Sequence, residues 1–354
     1  MELTLDSQQC DLRDGVGKFL ADHAGSAQVR AAMETGAGFD RDLWRRMGRD
    51  LGVLGLVVAD EHGGAGAGHV ERSIVSEELG RTLLPSPFLA SAVLAVDVLD
   101  ALDDQQAQRE LLPQLASGEL IGTVAEGARA VSRDGGWVLD GRLTPVLSGD
   151  VADIVLVRAD SGWFLVRTAD SGVQRTTLRT LDPTRRMARL DLQRAPARAL
   201  SAEDSSAVKS QVDDLAAVAL AAEQVGGMRS VLDMTVEYAK SRVQFGRLIG
   251  SYQAVKHACA DMYSAKEQAV SLVRYAAWAA DHDPAELPIA AALAQVYCSP
   301  AAFDAAANGV VLHGGIGYTW EHDAHLFYKR AKTSEVLFGS DRARRLRLAD
   351  LMGA

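Results

Sequence analysis

The chain has 354 residues, with 37 Lys and Arg against 47 Asp and Glu and a formal charge of −10. It is 48% apolar and 24% charged, with mean hydropathy close to zero and a pI near 5.3, the profile of an ordinary globular protein long enough for two or three domain-sized units. That acidity argues against a general nucleic-acid binder, which needs a basic face, and no run approaches the roughly 18 uninterrupted apolar residues of a membrane span. The opening residues Met1-Glu2-Leu3-Thr4-Leu5-Asp6 carry acids where a secretory signal carries basic and then apolar residues. Cys10, Cys259 and Cys298 are too few and too scattered for a disulfide framework or a metal site, and read as buried thiols. The expectation is a cytoplasmic protein.

Three zones follow one another. Residues 1–120 have helical spacing, as in Leu43-Trp44-Arg45-Arg46-Met47 and from Ser73 to Leu83, punctuated by glycine at 63–68 and by Pro85-Ser86-Pro87. Residues 121–205 change texture. Gly136-Trp137-Val138-Leu139-Asp140-Gly141 reads as a strand and then a hairpin turn, and Ile154–Val157 and Trp163–Val166 are short apolar runs. Strands without intervening helices predict an antiparallel sheet or a small barrel. Residues 206–354 are helical again. Val225, Met228, Leu232, Val236 and Ala239 recur at three and four, so one face of that helix is expected to be buried. Asp281 to Pro284 ends the next helix, Pro288 opens another, and His313 to Tyr318 is a glycine turn between helices. The expected class is α+β, mostly α: a helical N-terminal domain, a middle β-domain and a C-terminal four-helix bundle.

Gly64-Ala65-Gly66-Ala67-Gly68 invites a dinucleotide reading, but its spacing is GxGxG and no βαβ alternation surrounds it. It is read as a surface turn. Two later patterns carry more. Around Arg242-Val243-Gln244-Phe245-Gly246 a helix ends, a Phe-Gly pair breaks the chain, and Gln253 opens the next helix. Arg suits bidentate phosphate recognition, Phe stacks on flat rings, and Gln hydrogen-bonds; a solvated Arg beside a helix cap explains the same residues. In His313-Gly314-Gly315-Ile316-Gly317-Tyr318, bunched glycines let backbone N–H groups approach an anion, or simply make a tight turn. The run Arg342 to Arg347 is a basic stripe, read as a solvated face.

In this order and about seventy residues apart, the two patterns closely resemble the C-terminal domain of the acyl-CoA dehydrogenase family. The resemblance extends over the whole layout. Glu61-His62-Gly63-Gly64-Ala65-Gly66 and Glu77-Glu78-Leu79-Gly80 are similar to its N-terminal signatures. It implies bound FAD and α,β-desaturation of an acyl-CoA thioester, with electrons passing to a flavoprotein acceptor. A glutamate held in an apolar pocket would take the α-proton, its pKa raised by desolvation. The resemblance assigns cofactor contacts to Arg242, Phe245, Gln253, His313, Gly314 and Gly315.

The same resemblance exposes departures. Of the family's two positions for the glutamate, one is occupied here by Phe338, before Gly339-Ser340, and the other by Ala216, nine residues before Val225. Neither accepts a proton, and Glu223 is the fallback. Leu147 stands where the family has a flavin-facing threonine, and Val311 where most members have glutamine. What is kept is the set that in the family reaches into a neighbouring subunit's FAD; what is lost lies around the flavin ring. This is similar to the short base-less subunits of actinobacterial α2β2 acyl-CoA dehydrogenases of steroid side-chain β-oxidation, whose longer homologous partner supplies the glutamate. The alternatives are a homo-oligomeric dehydrogenase with a relocated base and a non-catalytic scaffold that binds CoA thioesters.

Overall fold

The structure is a computed structural model and describes residues 3–133 and 135–353. Its chain packs into two compact units, each discontinuous in sequence: one from residues 1–30, 69–84 and 217–354, the other from 31–68 and 85–216.

The first unit is helical. Helix α1 (Ser7–His23) starts with a reciprocal cap, in which Asp6 accepts from the Gln9 amide and Gln9 from that of Asp6. It packs on α4 (His69–Thr82), whose first two amides, His69 and Val70, donate to Asp281 at 2.7 and 3.0 Å. Asp281 sits at the end of α8 (Gln253–His282). The bundle is completed by α9 (Leu287–His313), α10 (Ala324–Val336) and α11 (Asp341–Leu351), the last begun by a Ser340 side-chain cap. Helix α2 (Ser26–Glu34) and helix α7 (Ser205–Ser241) each belong partly to both units.

Helix α7 spans 37 residues, about 55 Å at the standard rise. The expected buried face holds at Val225, Met228, Leu232 and Ala239, with Val236 half-buried and Asp233 and Glu237 exposed; earlier in the helix, Asp214 to Ala222 are all buried. An alanine-rich helix can be covered on every side, and small side chains leave no amphipathic signal. By length and composition α7 could cross a bilayer, but 78% of its apolar window is buried inside the protein. Its crossing with α4 is made by glycine. A Cβ on Gly80 would lie 2.0 Å from the Glu223 carbonyl oxygen, and one on Gly226 would lie 1.8 Å from that of Glu77. The two backbones touch, and Glu77, nearly buried beside the crossing, is held by Arg229 at 2.6 Å and Arg274 at 2.9 Å.

The second unit contains α3 (Arg41–Arg49), α5 (Val96–Ala101), α6 (Gln105–Ala116) and a buried π-helical segment, Leu89–Ala95. Its strands are β1 (Gly122–Arg133), β2 (Gly136–Leu147), β3 (Ile154–Ala159), β4 (Gly162–Arg167), β5 (Val173–Thr177) and β6 (Met187–Leu200). The order β2-β1-β3-β4-β6, with β6 returning to β2, closes a small barrel, and β5 adds to β6. Leu139, Val157, Phe164 and Leu190 fill its interior.

Two details correct the sequence reading. The sheet is mixed, since β1 and β3 run parallel while the other pairings are antiparallel. The ladder shifts register between Glu126 and Ala128 at Gly127 (φ +96°), so β1 serves β3 and then β2. Asp140-Gly141 is not a turn. Strand β2 runs through it as a bulge against β6, where Asp140 accepts from the Arg194 amide at 2.8 Å. Strand β1 ends at Arg133 and β2 begins at Gly136, and residue 134 between them lies outside the described residues. The thiols differ too: only Cys298 is fully buried, while Cys10 and Cys259 are half-exposed.

Candidate functional site

Both motifs lie in the helical unit. Helix α7 stops at Ser241, and the Arg242 amide still donates to the Tyr238 carbonyl at 2.8 Å. A two-stranded ribbon follows, β7 (Val243–Gln244) and β8 (Arg247–Leu248). Its turn is Phe245-Gly246, with φ of +53° and +76°. Both central residues are left-handed, as a two-residue hairpin loop with this twist requires. Glycine adopts that conformation freely, whereas a phenylalanine there costs about 1–2 kcal/mol. The Phe245 ring is nonetheless 93% exposed, so the strain displays a ring rather than burying one. The ribbon is braced from behind: Tyr252 donates to the Gln244 carbonyl at 3.1 Å, and the Arg247 guanidinium lies 3.9 Å from the Tyr252 ring centre. Arg242 and Gln253 are exposed, and neither side chain makes a hydrogen bond or ion pair among the described residues.

The glycine turn starts where α9 ends. His313 is buried, and its Nδ1 lies 2.6 Å from the Gly309 carbonyl oxygen, which fixes that nitrogen as the protonated one. Its ring stacks on Tyr238 at 4.7 Å and tilts against His322 at 4.4 Å. Tyr238 is one turn before Arg242, so the stack ties the ribbon to the turn. Residues Gly314–Tyr318 make one 3₁₀ turn; Gly314 has φ +63°, and a Cβ on Gly314 or Gly315 would meet nothing within 4 Å. The open cradle, the unspent guanidinium and amide, and the raised aromatic ring fit a large anionic, aromatic cofactor that approaches from outside this unit. The His313 ring is turned inward, so it positions the turn.

The two base positions look different. Ala216 is fully buried in α7. Phe338 follows α10 with φ +61°, and Gly339 has φ +115°. The carbonyl of Leu337 accepts from Arg344 Nη2 at 2.5 Å, and Arg344 Nη1 donates to Ser299 Oγ at 3.1 Å. Arg344 is thus buried, which lowers its pKa, and it leaves the solvated basic stripe expected for α11. Glu223 pairs with Arg330 at 2.9 Å, and both side chains are largely buried. They line a cavity of about 20 Å³ with Gly80, Gly227, Phe327 and Ser334. In the other unit, the Leu147 side chain is buried and its carbonyl accepts from Thr123 Oγ1 at 2.6 Å.

Nothing in the sequence pattern marks Tyr238, His322 or Arg344. Tyr238 and His322 could be found only by knowing that α7 and the turn meet. The paired glycines Gly80 and Gly226 are the available signal for the α4–α7 crossing.

A barrel unit and a helical bundle with this ribbon and glycine turn define the acyl-CoA dehydrogenase type of fold. Residues 6–119 match the acyl-CoA dehydrogenase N-terminal domain and residues 212–353 its C-terminal domain. The chain belongs to the acyl-CoA dehydrogenase family, a family of FAD-binding flavoproteins. It is 43% identical over 332 residues to acyl-CoA dehydrogenase IpdE2 of Mycobacterium tuberculosis, covering 94% of this chain and 93% of that one. Among solved structures it is similar to the ChsE4-ChsE5 complex from Mycobacterium tuberculosis, with TM-score 0.92, 30% identity, and coverage of 100% of this chain and 99% of that one. It is likewise similar to a Tcur3481-Tcur3483 steroid acyl-CoA dehydrogenase variant, with TM-score 0.89, 30% identity and 99% coverage of each chain.

Proposed function

We propose that this chain is the subunit without a catalytic glutamate in a heteromeric acyl-CoA dehydrogenase, an α2β2 assembly completed by a longer homologous subunit. The observation that carries the reading is a contrast along the chain: Arg242, Phe245, Gln253 and the Gly314-Gly315 turn are displayed and unspent, while Phe338 and Ala216 hold the base positions and Glu223 is engaged by Arg330. The likeness to a two-component complex and to a steroid acyl-CoA dehydrogenase variant supports the same reading. It also suggests a steroid acyl-CoA as substrate. On this reading residues 1–120, 121–205 and 206–354 are the N-terminal, middle and C-terminal domains, and the enzyme works in the cytoplasm with a flavoprotein as electron acceptor.

When bound, FAD supplies the hydride acceptor for desaturation of the thioester. Arg242 would clamp the pyrophosphate bidentately. Phe245 would cover a flat ring of the cofactor, with its cost already met in the fold rather than on binding. Gln253 would hydrogen-bond beside it, and Gly314 and Gly315 would admit the pyrophosphate close to the backbone. His313, stacked on Tyr238, would hold the turn in place. The α-proton would go to a glutamate of the partner.

The test is the flavin content of the purified chain, read from its visible absorbance, followed by anaerobic acyl-CoA. Little flavin alone, restored to about one FAD per two chains by the co-expressed partner, is expected. One FAD per isolated chain, bleached by substrate and abolished by Glu223→Gln, would establish a homo-oligomer with a relocated base. A colourless protein under both conditions would leave only the scaffold reading.

A further inference from the structure

We propose that His322 is a pH-operated latch on the glycine turn: its neutral imidazole caps helix α10 and closes the far end of the turn, and protonation opens it. The inference concerns the turn itself and holds whether or not the turn grips FAD.

The geometry begins with an acid diverted from its usual task. Asp323 stands at the N-cap of α10, where a carboxylate would normally accept from the first amides, yet it makes no such bond. Its Oδ1 is taken instead by Arg30, at 2.6 and 3.1 Å, and by Ser26 Oγ at 2.8 Å. The Ala324 amide therefore donates to His322 Nδ1, at 3.2 Å. An N–H donor requires a lone pair on that nitrogen, so only neutral imidazole can make this bond.

The surroundings oppose the charged form. From α9, the buried ring of His313 lies 4.4 Å away, with Tyr238 of α7 stacked behind it. From α2, Arg30 brings a guanidinium and donates to the Trp320 carbonyl at 2.5 Å. From α10 come His325, packed edge-on to Trp320, and Lys329, 3.9 Å from the same ring. Glu321 precedes His322 in the chain, and Asp323, already paired, is the favourable neighbour. The positive end of the α10 dipole adds to the opposition. Burial, reinforced by His313, His325 and Arg30, accordingly lowers the His322 pKa. A histidine depressed in the folded state contributes stability above its unfolded pKa, about 6.5. That contribution is lost as the pH falls through this value toward the folded one. Protonation would break the Ala324 bond and set a cation against Arg30 and the helix end. Arg30 still holds the Trp320 carbonyl and Asp323, so the loosening would centre on His322, its packing against His313 and the first turn of α10.

The experiment is amide exchange over residues 314–326 in the full chain, with its partner if one co-purifies, at about pH 7.5 and 5.5 and corrected for intrinsic exchange. Exchange in the wild type is expected to rise by up to about tenfold at the lower pH, the most that one pH unit below an open-state imidazole pKa of about 6.5 allows. His322→Asn keeps an acceptor that does not titrate and should stay protected at both values; His322→Leu should exchange fast at both. His69, whose pKa burial pushes down to about 3, destabilises all three proteins in acid alike, so the difference between them is the readout. An acid response in His322→Asn equal to the wild type would overturn the latch. Independently of the variants, an NMR titration should place His322 below 6.5; a value at or above 6.5 would also overturn it.

Discussion

Two regions of the helical unit hold their polar groups in opposite ways. Around the ribbon and the glycine turn, a guanidinium, a carboxamide and a phenyl ring are exposed, the two polar groups without a hydrogen bond or ion pair among the described residues, and the phenyl ring sits on a strained backbone. Around α4, α7 and the end of α10, the charges are turned inward: Glu77 with Arg229 and Arg274, Glu223 with Arg330, and Arg344 on Ser299 and the Leu337 carbonyl. Charged groups already paired or hydrogen-bonded inside a core serve the fold, because removing their partners leaves an uncompensated buried charge. Groups left open on a braced turn gain their energy only when something binds. The contrast therefore separates what keeps this chain folded from what it offers to others.

The sharpest way to break it is at the backbone crossing. Gly226→Val would put side-chain atoms where the Glu77 carbonyl lies 1.8 Å from even a Cβ. Overpacking ordinarily costs about 1–3 kcal/mol, but here it must push α4 and α7 apart, and the folded chain should not accumulate; circular dichroism and gel filtration of the expressed protein would reveal it. Folded protein in good yield would mean that the crossing is looser than its glycines suggest. Next in size is Glu77→Leu, which strands Arg274 in the core, where burial already lowers its pKa. A loss of about 3–5 kcal/mol in denaturant unfolding is expected. The Arg274→Met change made on top of it should recover some of that loss.

Much of this division is legible in the sequence, and what is not has a physical reason. The helix–sheet–helix texture comes from periodicity, and the ribbon and the turn come from a motif whose residues face outward, where chemistry rather than packing sets identity. The misreadings come where a third element decides. Asp140-Gly141 has the local preference of a hairpin, yet β6 pairs across it and makes it a bulge. Arg344 lies in a stripe of arginines that any pattern assigns to water, and the Ser299 hydroxyl and the Leu337 carbonyl receive it inside. The all-round burial of Asp214 to Ala222 in α7 escapes because alanine contributes little to a hydrophobic stripe. Each is a tertiary contact overriding a local signal.

The smallest expected effect tests the displayed side of the contrast. Phe245 adopts φ +53° with its ring in solvent, so the isolated chain carries strain there without compensating burial. Asparagine tolerates the left-handed region far better. Phe245→Asn should therefore stabilise the chain, by up to about 1 kcal/mol in denaturant unfolding, an unusual sign for the loss of a large aromatic ring. Arg242→Ala at the same site should stay within about 0.5 kcal/mol of the wild type. If the ribbon is built to meet a cofactor, both variants should lower the flavin retained by the partnered enzyme, so that stability and flavin content move apart for Phe245→Asn. Were stability instead to fall by more than about 1 kcal/mol, the ring would belong to the fold's own packing, and the distinction between spent and displayed groups would fail at its most exposed residue.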